Sequence, residues 1–342
     1  MRKWIALGVA AVVAVGAVVW ASAGSNDVEL PGITPDRLVA SAAAALARDP
    51  TISGTLKEHL NLGLPNVGDP TTFGVEGGLG LLLGDHTLRL WRSPFGARVS
   101  FIESTSERGL YLGRTGAWAW DFGTLTATRL APAGIRTGLF PLDLLVDEDT
   151  FRGVLDGLEP TTDVFVDGGT TVAGRKAYRL ALEPKPETET LVGRVEFDID
   201  AETRIPLAAK IVPLGSGSAA VSLAFTSVSY GDIDPALFDF TPPAGVKVQD
   251  SPNGFNPLGL LGIAIAGGEA GGAGTRSFGR SWGSVVAIRM DSTLPDELTQ
   301  FIPLSTPLLS TRFAATERAQ WLLIGAVPQK VLRAIDQQEF SA

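Results

Sequence analysis

The strongest constraint in this sequence is a two-residue alternation of apolar and polar side chains. From Arg194 to Asp200 it is clean: Val195, Phe197 and Ile199 fall on one face of an extended chain, and Arg194, Glu196, Asp198 and Asp200 on the other. Val221, Leu223 and Phe225 repeat the pattern, as do Tyr178, Leu180 and Leu182 with Arg179 and Glu183 opposite. A helix cannot sort its faces with a period of two, so the stretch from about residue 54 to 230 is expected to be strands. Turn residues separate them at Ser93-Pro94-Phe95-Gly96, Arg114-Thr115-Gly116, Asp167-Gly168-Gly169 and Gly215-Ser216-Gly217-Ser218. Hairpin-linked strands at this spacing make an antiparallel sheet or an open barrel.

The N-terminus carries a different signal. Arg2 and Lys3 precede an uncharged stretch from Trp4 to Ala21, and Asp27 and Glu29 follow it. As a helix that stretch would span about 27 Å, just short of a bilayer's ~30 Å apolar core. The cations before it hold the N-terminus in the cytoplasm and place the rest of the chain outside. Two fates stay open. Ala21-Ser22-Ala23 fits a signal-peptidase site with cleavage before Gly24, whereas Trp4 and Trp20 at the two ends suit an uncleaved anchor. The leader, residues 1–23, is therefore a signal peptide or an N-terminal membrane anchor, and the protein is extracytoplasmic, secreted or held at the cell membrane.

Helical signals are few. Thr34-Pro35-Asp36 opens an Ala-rich run to Arg48, with Pro at the first position and an acid in the first turn. Pro141 to Leu158 puts Leu142, Leu145, Phe151, Val154, Leu155 and Leu158 mostly on one stripe, with Asp147, Glu148 and Asp149 toward water. A Gly/Pro-rich linker at about 251–279 separates a main domain, 34–250, from a C-terminal unit, 280–342. In that unit Trp282 to Met290, Thr311 to Ala315 and Trp321 to Ala326 read as strands, and Pro295 to Ile302 and Pro328 to Gln337 as helices.

Composition removes several classes of function. The 342 residues include no Cys and only two His, His59 and His86. Disulfides, thiolate nucleophiles and Cys-based metal sites are excluded, and few general bases remain. A formal charge of −9 disfavours nucleic acid as a partner. Gly279-Arg280-Ser281-Trp282-Gly283 matches the G-x-S-x-G pattern of a hydrolase elbow, but a strand follows it and no His comes after position 86. Gly77-Gly78-Leu79-Gly80 lacks the third glycine of a dinucleotide loop, since Leu83 stands there. Asp85 and His86 are adjacent and should point to opposite sides of a strand. Asp163 with Asp167, and Asp198 with Asp200, are expected as surface charge on polar strand faces. The sequence thus offers no catalytic residue, no metal site and no cofactor loop.

What it offers is apolar surface. In Ala117-Trp118-Ala119-Trp120-Asp121-Phe122 the strand period puts Trp118, Trp120 and Phe122 on one face, near Leu110, Tyr111 and Leu112 of the preceding strand. Strands such as 78–84 and 110–112 are apolar on both faces, which requires cover on both sides of the sheet. Such a surface suits a core, or in part a cavity for an acyl chain. At ~0.8 kcal/mol per CH₂ a 16-carbon chain brings roughly 12 kcal/mol before ordering costs. That affinity needs no polar machinery.

Two further stretches carry a family resemblance. One runs from Val172-Ala173-Gly174-Arg175-Lys176-Ala177-Tyr178-Arg179-Leu180 through Val195-Glu196-Phe197-Asp198-Ile199-Asp200 to Thr203-Arg204-Ile205-Pro206-Leu207. The other runs from Phe225-Thr226-Ser227-Val228-Ser229-Tyr230 to Phe238-Asp239-Phe240-Thr241-Pro242-Pro243-Ala244-Gly245-Val246-Lys247-Val248. Over roughly residues 35 to 250 the chain resembles the LolA/RseB-like superfamily of lipoprotein carriers and extracytoplasmic regulators, especially its actinobacterial exported members. The resemblance implies an α+β fold: a strongly curved antiparallel half-barrel with helices in its concave side, here with a small α+β C-terminal unit added.

It also implies a non-enzymatic protein whose cavity holds the acyl chain of a lipid or lipoprotein. The candidate lining comprises Leu88, Leu90, Phe101, Leu110 and Leu112; Trp118, Trp120 and Phe122; and Tyr178, Leu180, Val195 and Phe197. The resemblance equally allows a regulator that binds an anti-sigma factor or another membrane protein. Related members are tethered through a lipidated N-terminal cysteine. Lacking one, this chain would be free or would meet the membrane surface through its own leader.

Overall fold

In the computed structural model the described residues are 28–63, 84–102, 107–130, 161–251, 274–290, 303–317 and 319–340. The leader, the Gly77–Gly80 stretch, the 141–158 helix and the 295–302 helix read from the sequence lie outside them.

Two meanders build the large sheet. Strands β2 (Gly84–Ser93), β3 (Gly96–Ile102), β4 (Glu107–Gly113), β5 (Gly116–Asp121) and β6 (Thr126–Leu130) pair in sequence order. So do β7 (Thr162–Val172), β8 (Arg175–Pro184), β9 (Val192–Asp200), β10 (Pro206–Pro213) and β11 (Val221–Tyr230). Strand β1 (Ile52–Leu60) lies between β2 and β11 and joins the halves. All these pairings are antiparallel; β12 (Lys247–Ser251) adds to β6 in parallel and completes twelve strands. The outermost strands, β12 and β7, do not pair, so the curved sheet stays open. The half-barrel expectation holds to that extent: a large open curved sheet with few helices and a second small sheet.

Cross-strand register assigns every side chain to a face, because directly opposed residues share one. One face reads Leu88 and Leu90 on β2, Leu56 and Leu60 on β1, Phe225 and Leu223 on β11, then Phe197, Leu180 and Val195 on β9 and β8. Helix α1 (Pro35–Leu46) packs here. Thr34 caps it, its hydroxyl accepting the Arg37 amide, and Pro35 opens it. Leu38, Ala42, Ala45 and Leu46 form its buried stripe and merge with the sheet's apolar face into one core.

Among the described residues, the opposite, outer face is closed by side chains rather than by a helix. Across β8–β10, Arg179 bonds Asp198 at 2.9 Å, Arg194 bonds Glu183 at 3.2 Å and forms an ion pair with Glu196 at 2.9 Å, and Arg175 grips Asp200. Asp198 and Asp200, read as surface charge, are therefore only 4% and 1% exposed. Burial alone would raise the Asp200 carboxyl, but the Arg175 guanidinium and the Thr203 and Glu202 amides hold it below the usual range. Across β4–β6, Phe240 lies on Tyr111, Trp118 and Trp120 with ring centroids 4.7, 5.9 and 5.8 Å apart. Phe238, two residues earlier, is buried against the β2–β3 turn; a side chain at Gly96 would meet it and the Leu112 carbonyl, which explains the glycine.

A second sheet of five antiparallel strands follows, in the order β13 (Thr275–Phe278), β14 (Val285–Met290), β17 (Ala319–Gly325), β16 (Ser310–Thr316), β15 (Leu304–Ser305). Helix α2 (Gln329–Glu339) lies on it through Leu332, with Phe340 just past its end packing on Phe278 and Trp321. Its start differs from the sequence reading: Ser281–Gly283 is one 3-10 turn and the strand begins at Val285. That turn drives Trp282 into the large sheet's core, where the indole is fully buried and donates to the Thr162 hydroxyl at 2.8 Å. Trp282→Ala should lower stability by about 3–5 kcal/mol. Chemical denaturation measures it, and a loss below 1 kcal/mol would show that Trp282 does not hold the small sheet to the large one.

Candidate functional site

The chemistry expected from composition can be checked first against position. Ser281 has a φ of +52° and is 7% exposed, but it joins a strand to a 3-10 turn and another strand. A nucleophile elbow needs a helix behind it. The strain is accounted for by the insertion of Trp282. His59 and His86 lie on adjacent strands and opposite faces: His59 meets Asp85 at 2.7 Å on the outer side, and His86 stands on the core face opposite Glu58. Among the described residues no three His, Cys, Asp or Glu side chains come together as a metal cluster.

The expected lining residues separate into two groups. Leu88, Leu90, Phe101, Leu110, Leu112, Tyr178, Leu180, Val195 and Phe197 all lie on the core face, linked by register: Leu88 opposes Phe101, Leu90 opposes Val99, Val99 opposes Leu110, and Leu180 opposes Phe197. Trp118, Trp120 and Phe122 lie on the other side. Trp118 and Trp120 pack on Phe240, and Phe122, just beyond β5, is 57% exposed. Leu110 and Tyr111 are neighbours in sequence, so only one of them can share a face with Trp118; the register gives it to Tyr111.

Burial along the core face is uneven. Under α1 and the small sheet, Leu56, Leu180, Phe197 and Leu223 are wholly buried. Toward β3 and β4 the same apolar face continues, but Phe101, Leu110 and Leu112 are only half-buried. Three of the polar residues on it are matched: Arg92 bonds Asp49 at 2.9 Å, Arg108 pairs with Asp121 at 3.4 Å, and the Tyr178 hydroxyl donates to the Pro31 carbonyl at 3.0 Å.

Glu58 is the residue that the sequence reading missed. It takes an apolar-face position on β1 and is 5% exposed. Burial pushes its carboxyl up to about 8, so it is mostly neutral at pH 7. The signal was available: Leu56-Lys57-Glu58-His59-Leu60 breaks the alternation where an aliphatic belongs. Flanked by Lys57 and His59, Glu58 reads as part of an ordinary polar stretch.

No protein-family model matches the chain, and no curated protein matches it in sequence. Among solved structures it is similar to MucB, at 16% identity and a TM-score of 0.48 over 92% of this chain and 98% of that one. It is similar to the Pseudomonas aeruginosa MucA/MucB complex structure at 15% identity and 0.48, covering 88% and 96%. A LolA superfamily protein from Nitrosomonas europaea matches at 11% and 0.25, covering 61% of this chain and 99% of that one. The last of these bears the name of the superfamily that the sequence resembles. The reading of function rests on the residues of the core face.

The raised carboxyl has a consequence for stability. The unfolded chain ionises Glu58 near pH 4.5, while the folded chain keeps it protonated to about 8. Between these values the folded state holds the extra proton, so this group's contribution falls as pH rises and levels off above about 8. Unfolding free energies measured from pH 5 to 9 should decline by a few kcal/mol in the wild type, and Glu58→Gln should flatten the decline. An equal slope in both proteins would place the titration elsewhere.

Proposed function

We propose that the protein is an exported, non-enzymatic carrier that holds the acyl chain of a lipid or lipoprotein against the core face of its open sheet. One observation carries this reading: an apolar face continuous from β8 to β4 runs past its covering elements and leaves Phe101, Leu110 and Leu112 half-buried. The outer face is closed by Phe240 and the arginine pairs, so the apolar area left for a ligand is on the inner side. An acyl chain needs shape and apolar contact alone. Trp118 and Trp120 then belong to the clamp around Phe240. The cationic leader flank directs the chain outside the cytoplasm, where residues 1–23 act as signal peptide or anchor at the membrane surface. No described helix is long and apolar enough to cross a membrane.

A second reading, a regulator that binds a membrane protein such as an anti-sigma factor, has its own support. Phe122, Leu125 and Val248 are 57%, 51% and 54% exposed at one edge of the sheet, where the Lys247 amide bonds the Leu125 carbonyl. The two readings separate experimentally. Native mass spectrometry of gently purified protein should show bound lipid, and Leu110→Asp should weaken uptake of a fluorescent fatty acid at least tenfold while Trp118→Ala lowers stability with uptake retained. Absence of lipid together with absence of uptake would end the carrier reading. A single stoichiometric membrane-protein partner, lost on Leu125→Asp, would establish the regulator instead.

A further inference from the structure

Among the described residues, Glu58 is the one charged-type side chain on the buried part of the core face that its neighbours do not match. It stands between Leu56 and Leu60 on β1, opposite Leu223 on β11 and His86 on β2. Val221, Phe225 and Leu88 surround that position. No hydrogen bond or ion pair to a described residue engages its carboxyl, and burial is the whole cause of its altered ionisation. Arg92, Arg108 and Asp121 on the same face all have partners. The Glu58 oxygens are also absent from the fully sealed, unbonded polar atoms such as the Ser100 and Ser222 hydroxyls. Each keeps a trace of accessible surface, so the carboxyl does not end wholly inside packed side chains.

We propose that Glu58 receives the polar end of the bound amphiphile, recognising an uncharged group that both accepts and donates hydrogen bonds, such as the ester and hydroxyl of a monoacylglycerol. The proposal rests on the acyl-carrier reading and adds the head group to it. A protonated carboxyl donates one hydrogen bond and accepts others, which matches an ester carbonyl beside a hydroxyl. A cationic head group would need the ionised form, and the aliphatic surroundings oppose it. The titratable group facing Glu58 is His86 from β2; β11 presents Val221, Leu223 and Phe225, and α1 buries Leu38, Ala42 and Leu46. Phe101 and Leu110, half-buried on the same face beyond the buried Leu88 and Leu90, mark the direction in which the acyl tail extends.

The test compares full-length wild type, Glu58→Gln and Glu58→Leu. Each is titrated at pH 7 and pH 9.5 with a pyrene-labelled monoacylglycerol, the matching pyrene-labelled alkane and the matching acyl amine. The wild type should prefer the monoacylglycerol over the alkane by tenfold or more at pH 7 and lose that preference at pH 9.5. Glu58→Gln should keep the preference at both pH values. Glu58→Leu should bind both probes alike while unfolding at a higher temperature. An unchanged preference in Glu58→Leu, with alkane uptake intact, overturns the role of Glu58 and leaves the carrier reading standing. Uptake of none of the probes by the wild type overturns both. A preference for the acyl amine overturns the uncharged head group. If the leucine variant does not fold, the pH response of wild type against Glu58→Gln decides.

Discussion

The pairing of β1 with β11 is the contact on which the rest of the structure depends. It runs from Ile52 opposite Tyr230 to Leu60 opposite Val221, joining segments separated by most of the main domain. Each meander can form from local hairpins, but neither alone can bury one face of its strands. Joining them at β1 makes a single face wide enough for α1 to lie on and for Trp282 to enter. Loop closure over such a distance grows only slowly in entropic cost, so the long connection is tolerable once the shared apolar face compensates. A bulge between Thr55 and Leu56 adjusts the pairing, and Gly54 leaves room for the Phe225 ring at that point.

The two faces of the sheet reach burial by different means, and the difference sets where a ligand can go. On the outer face of β8–β10, carboxylates and guanidiniums alternate across strands and cover one another; Asp200 is among the least exposed residues of the protein although it is ionised. On the outer face of β4–β6, Phe240 fills the space between Tyr111 and Trp118, and Arg98 and Arg129 lie over the rings at 4.7 and 4.9 Å. Both arrangements are complete within the chain. Among the described residues the inner face has no such local closure. Its apolar strip is covered in part by elements that come from far away in sequence, and it continues where that cover thins.

Much of this was legible in the sequence, because strand periodicity is a local property. The β8 and β9 alternation, the turn at Ser93–Gly96 and the Thr34 cap are all where the residues put them. What periodicity cannot supply is which of two apolar faces points inward. Leu110-Tyr111-Leu112 and Trp118-Ala119-Trp120 are apolar on both sides, and only the register with Phe240 and with β3 assigns each residue. Likewise Asp198 and Asp200 follow the polar phase correctly, yet their burial depends on Arg179 and Arg175, contributed by the neighbouring strand. Trp282 was placed in a strand because nothing local reveals that the large sheet has an opening to receive it.

Local and global preferences agree along most of this chain, which makes the position where they disagree informative. Leucine or valine at 58 would complete the alternation of β1, extend the contact with Leu223 and remove an unpaired buried carboxyl. Stability alone gives no reason for glutamate there. The outer-face carboxylates show that the fold can satisfy a buried acid when structure is its purpose: Asp200 has Arg175 and two backbone amides. Glu58 has an apolar wall and a histidine across the strand. A carboxyl kept neutral by its surroundings is a hydrogen-bonding group rather than a charge, and in the proposed carrier it would fix one point along a bound chain. That is the difference between a surface that accepts any acyl group and one that sets the position of a head group.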